Sequence, residues 1–129
     1  MNRIYNFLFY WFPVLIYGLL IFIQSSRPSP ANFPHNIAHI DKLLHFFGYA
    51  LLGVLFARAF KTRSAKNNLK LLMVLSIILS GLYGISDEIH QAFVPFRDGD
   101  IMDILADILG SICGVFAYYS VTNKSQKVF

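Results

Sequence analysis

Charge is scarce in this chain. Only 14% of its 129 residues are Asp, Glu, Lys or Arg, 56% are hydrophobic, and mean hydropathy is +0.53. Such a balance excludes an ordinary soluble globule and indicates one membrane-embedded domain spanning 1–129. Cysteine is scarcer still. Cys113 stands alone in an apolar run, so no intramolecular disulfide can form, and the thiol reads as a small apolar side chain. No nucleophile motif is present. The net charge of +4 does not indicate nucleic acid, because the basic residues lie between apolar segments without a polar scaffold. Orientation in a bilayer explains them better.

Four apolar runs are present, at about 7–23, 43–60, 69–86 and 104–121. These lengths suit an all-α bundle of four transmembrane helices, since a span needs about 20 residues at about 1.5 Å each. The first run has Arg3 before it and no small-residue cleavage site after it, which favours an uncleaved anchor over a signal peptide. Pro13 fits there as an early-turn residue or a mild kink. Pro28, Pro30 and Pro34 then break the chain, and His35 and His39 fall in this linker as solvated loop residues. Gly110 and Gly114 form a GxxxG pair that permits close helix packing.

Acids are absent from the stretch between the second and third runs, which carries Arg58, Lys61, Arg63, Lys66 and Lys70. Short loops of this kind stay cytoplasmic, and an even number of spans then puts both termini on the cytoplasmic side. All seven acids fall on the opposite side, facing outward with Arg27, Lys42 and Arg97.

Six of those acids lie between Asp87 and Asp107. Ionisable groups at a membrane are costly, by about 2.5 kcal/mol or more on insertion scales, and so mark a site whose members have partners. In a second helix, Asp41, His45 and Gly48 would share one face, with Lys42 pointing elsewhere and Asp41 open to a simple capping role. After Pro95, either Asp100 or Asp103 would cap the fourth helix.

The residues Asp41-Lys42-x-x-His45-Phe46 with Tyr49 and Gly53, Ser86-Asp87-Glu88-x-His90-Gln91 with Phe93, Pro95 and Arg97, and Asp103-x-x-x-Asp107-x-x-Gly110 together resemble the VanZ-like membrane proteins. Motif coverage runs from about Asp41 to Gly114, and the first span fits by position only. Phe96 stands where that family usually shows Gly, and Asp107 where it usually shows Asn. The resemblance implies a bacterial cytoplasmic-membrane protein of the cell envelope, in a family associated with low-level teicoplanin resistance. It supplies no reaction.

Two functions compete on these residues. In the first, a non-catalytic protein binds a lipid headgroup, a lipid-linked cell-wall intermediate or a glycopeptide antibiotic through Asp41, Asp87, Gln91, Arg97, Asp103 and Asp107. Asp41 would then pair with Lys42 or Arg97, and His45 with Asp107. In the second, a hydrolase or transferase acts on a phospholipid or isoprenoid phosphate, with His45, Glu88 and His90 as acid or base and Arg97 on phosphate. Asp87, Asp103 and Asp107 could then hold a divalent cation. Ion or proton translocation is disfavoured, because polar residues do not continue to the inner half.

Overall fold

A computed structural model describes residues 2–28, 38–61 and 68–127. The linker prolines Pro30 and Pro34, His35, and the loop residues Arg63 and Lys66 lie outside them. Four helices follow in order: α1 (Arg3–Ser25), α2 (Ala38–Lys61), α3 (Leu69–Gln91) and α4 (Ile101–Lys127). All four are long and apolar enough to cross a membrane. No strand occurs among the described residues.

Each helix outruns its apolar stretch. Residues 87–91, read from sequence as following the third span, form the last turn of α3, and Asp41 lies inside the first turn of α2 rather than ahead of it. Asp100 is the residue that caps α4: its Oδ1 accepts the Met102 N–H at 2.8 Å. Asn68 does the same for α3, accepting from the Leu71 N–H at 3.2 Å. Pro13 is interior to α1, not near its start, and the helix continues through it.

The helices alternate in direction. Arg97 reaches the carbonyls at the end of α1 and Lys42 reaches Asp100 and Asp103 at the start of α4, so the acidic helix ends meet at one pole. At the other pole lie the N-terminus of α1 and the C-terminus of α4. Aromatic rings gather there: Trp11 meets Phe60 edge-on at 5.2 Å, and the Arg58 guanidinium lies over the Phe9 and Tyr10 rings at 5.0 and 4.8 Å. Such amphipathic side chains suit a membrane–water interface.

The interior is small and partly polar while the outside is apolar, the arrangement expected when lipid is the solvent. Ser76, Ser80, Ser111 and Asp107 are fully buried, whereas Leu15, Leu44, Phe47 and Leu109 are exposed. The largest interface joins α2 to α4. Gly110 and Gly114 create it: a Cβ on either would come within 2.1 Å of the Phe46 or Ala50 carbonyl oxygen. Ser111 donates to the Asp107 carbonyl at 2.7 Å and shares a 2.7 Å bond with Ser80 of α3. Polar groups therefore do continue below the acidic pole, contrary to the expectation from sequence, although as hydroxyls rather than charges.

α1 is the loosest member, with 6% of its span buried against 28–33% for the others. Its backbone packs against α2 and α3. Two tyrosines fasten it. Tyr17 donates to the Gly48 carbonyl at 2.9 Å, and Tyr83 donates to the Gly18 carbonyl at 2.5 Å.

Candidate functional site

Two turns into α2, His45 projects into the space between α3 and α4. Its side chain is 9% exposed, and Nδ1 lies 2.9 Å from Asp107 Oδ1 and 3.9 Å from Glu88 Oε1. Nε2 lies 4.0 Å from Asp103 Oδ2. Asp107 can sit there because Gly84 of α3 leaves room: a Cβ on Gly84 would be 2.8 Å from Asp107 Oδ2. Glu88 is aimed by the opposite device, a hydrogen bond accepted by Oε2 from the Asp100 backbone N–H at 3.0 Å. Three helices and the α3–α4 turn thus converge on one imidazole.

Lys42 closes the rim beside it. Its ammonium donates to Asp100 Oδ2 at 2.7 Å and to Asp103 Oδ1 at 2.8 Å, joining the start of α2 to the start of α4. This lysine holds the Asp100 carboxyl below the usual carboxylate range, with the Met102 N–H helping. The expected pairing of Asp41 with Lys42 or Arg97 is not formed: Lys42 turns to Asp100 and Asp103, and Arg97 turns its Nη1 to the carbonyls ending α1.

Arg97 faces α1. Its Nη1 lies 3.3, 3.2 and 3.5 Å from the carbonyl oxygens of Gln24, Ser25 and Arg27, where the helix dipole favours a cation. Nη2 and Nε make no hydrogen bond to any described residue. The preceding Phe96 has φ of 62°, a left-handed conformation that favours glycine. This is the position where the family resemblance leads one to expect Gly.

Between α1, α2 and α3 these side chains line an open pocket of about 290 Å³. Asp41, His45, Asp87, Gln91 and Arg97 supply polar groups, and Leu20, Ile21 and Leu44 supply apolar wall. Gln91 donates to Asp87 Oδ2 at 3.1 Å, orienting that carboxylate. Because only 6% of the α1 span is buried, the pocket is bounded by a lightly packed helix.

The structure therefore divides the residues singled out from sequence into three groups. Asp41, His45, Asp87, Gln91 and Arg97 line the pocket. Glu88, Asp103 and Asp107 stand behind it, grouped on His45. His90 belongs to neither. It stacks on Phe22 at 4.8 Å and its Nε2 lies 2.9 Å from Ser26 Oγ, an α1–α3 contact outside the pocket. Asp87 falls outside the two carboxylate–histidine groups able to hold an ion among the described residues, which are Asp41, His45 and Asp103, and His45, Glu88 and Asp107. Tyr17, Gln24 and Ser25 of α1 were not foreseen as pocket residues. An uninterrupted apolar run carries no periodic signal that would mark one face as lining.

These features define a multi-pass membrane bundle with a polar pocket at one pole. The chain belongs to the VanZ/LLP1 family, whose model matches residues 2–122. It is also similar to a Schizosaccharomyces pombe protein described as uncharacterized, 29% identical over 98 residues. The match covers 75% of this chain and 52% of that relative, so the chain spans about half the relative's length. No solved structure matches significantly.

Proposed function

We propose that the pocket binds the headgroup of a membrane amphiphile, a phospholipid or lipid-linked intermediate, at the outward-facing pole. The observation that carries this reading is the pocket's lining, charged residues continuous with an apolar wall beside the loosely packed α1. An amphiphile entering past α1 would leave its chains against Leu20, Ile21 and Leu44 and offer its headgroup to Arg97, His45 and the two acids. Arg97 retains free N–H groups suited to phosphate, and Asp41 and Asp87 suit a headgroup ammonium. A zwitterionic headgroup carries both.

A glycopeptide antibiotic is a poorer occupant, because only a small part of so large a molecule would enter a pocket of about 290 Å³. Any effect on resistance would then follow from the lipid bound. The outward orientation rests on charge: Arg3, Arg58, Lys70 and Lys124 occupy the pole opposite the acids, as positive-inside bias requires of cytoplasmic ends. A similar sequence in a fungus means that the residue pattern alone does not imply a bacterial host.

Native mass spectrometry of the detergent-purified chain tests the reading. The wild type should retain a phospholipid, and Leu20→Trp, which fills the pocket from its apolar side, should lose it while staying folded. Equal retention by both would refute the pocket as the binding site. The alternative, metal-assisted hydrolysis or transfer on a lipid phosphate, is favoured by the carboxylates behind His45 and would show as turnover of the retained lipid.

A further inference from the structure

We infer that His45, Glu88 and Asp107 form a divalent transition-metal site behind the pocket. Their ligand atoms all lie within 4.8 Å of one another, and their side chains are 9%, 3% and 0% exposed. Grouping alone would not suffice, since acidic clusters are common. The second observation is that Glu88 Oε1 and Asp107 Oδ2 are both buried without a hydrogen-bond partner.

A buried carboxylate oxygen in that state lacks the compensation that charge in a low dielectric requires. The neighbouring cations do not provide it. Lys42 bonds to Asp100 and Asp103, and Arg97 turns its Nη1 to the carbonyls ending α1 and makes no ion pair with Glu88 or Asp107. Even a protonated His45 offers one positive charge to the two carboxylates it adjoins, with Asp103 at 4.0 Å as a third. A divalent ion supplies the missing charge and gives the orphaned Glu88 Oε1 a partner, with Asp107 ligating through Oδ1 while its Oδ2 stays against Gly84.

The donor set selects the ion. One imidazole with carboxylates suits Mn²⁺, Fe²⁺ or Zn²⁺ better than Ca²⁺ or Mg²⁺, which take oxygen alone. Two ligands each about 2.1 Å from a metal and at right angles are about 3 Å apart. The 2.9 Å between His45 Nδ1 and Asp107 Oδ1 meets that spacing, so the ion replaces the proton between them. Gly84 completes the site by leaving space for Asp107. Metal binding here requires no lipid, so it stands or falls separately from the headgroup reading.

Mn²⁺ added to the chelator-stripped full chain in detergent, without added lipid, provides the test. Titration followed by electron paramagnetic resonance should give one bound Mn²⁺ per chain, with ¹⁴N coupling from an imidazole in the pulsed spectrum. Glu88→Gln and Asp107→Asn should weaken binding at least about tenfold, the range seen when metal-site partners are removed. Asp98→Asn, an exposed acid at the same pole, should change it less than about twofold. If either site variant fails to fold, the wild-type nitrogen signal decides alone. Folded wild type that takes up no Mn²⁺ would overturn the inference, as would Mn²⁺ bound without ¹⁴N coupling and weakened equally by Asp98→Asn.

Discussion

His45 and Asp107 meet across the α2–α4 interface, Nδ1 to Oδ1 at 2.9 Å, with Asp107 fully buried. Removing one partner leaves the other unpaired in the interior, whereas removing both does not. Breaking a buried ionic pair costs about 3–5 kcal/mol, and interhelical polar couplings in membranes reach about 1.7 kcal/mol. In chelator-treated protein, His45→Ala and Asp107→Ala should each be strongly destabilising. The double variant should be about 1–2 kcal/mol more stable than their sum, by thermal unfolding in detergent. Strict additivity would mean that the contact does not hold the bundle.

Asp100 gives the rim a pH dependence. Its carboxyl is held low by Lys42, so its folded value lies below its unfolded one. The stability it contributes is present above the ordinary carboxylate range and is lost as pH falls through the lowered folded value. Asp100→Asn keeps the α4 cap but removes the charge, so it should flatten the decline in melting temperature on the acid side of about pH 4. Because the pair is partly exposed, the loss at neutral pH should be about 1 kcal/mol or less.

Close approach of α2 and α4 depends on bare backbone at two positions. Gly110→Ala and Gly114→Ala each place a methyl group on a carbonyl oxygen of α2 and should cost at least about 1–3 kcal/mol. Gly81→Ala, whose nearest neighbour would be 3.7 Å away, should be tolerated. Melting temperatures of the three variants in one detergent check the contrast.

Much of this was legible in sequence, for identifiable reasons. Gly110 and Gly114 read in sequence as a pair that permits close helix packing, and the structure supplies the partner, α2. Asp107 and His45 were expected to face inward because lipid offers a polar group nothing, and they do. Lys42 was misread because periodicity places a side chain on a helix face but not the tip of a long, flexible one, which here swings to α4. His90 was overvalued for its chemistry alone. Its position two residues past Glu88 puts it on nearly the opposite side of α3, where it meets Phe22 of α1. The serines of the core, Ser80 and Ser111, which bond to each other across α3 and α4, escaped notice because single hydroxyls barely alter the hydropathy of a long apolar run.

Phe96 holds a left-handed conformation at 83% exposure, so its backbone strain is offset by little burial. That conformation costs an L-residue about 1–2 kcal/mol, and glycine returns part of the gain through a more flexible unfolded chain. Phe96→Gly should therefore stabilise the protein by about 1 kcal/mol or less, and Phe96→Val should destabilise it. Thermal unfolding of the pair against wild type reads both signs.

The central claim is that the gathered polar helix ends form a headgroup site, and nuclear magnetic resonance of the chain in phospholipid nanodiscs tests it most directly. Cross-relaxation from lipid headgroup protons to the His45 ring, Gly48 and the Gln91 amide is the expected result. Headgroup contacts confined to exposed positions such as Phe93 and Ile101, with none inside the pocket, would contradict it.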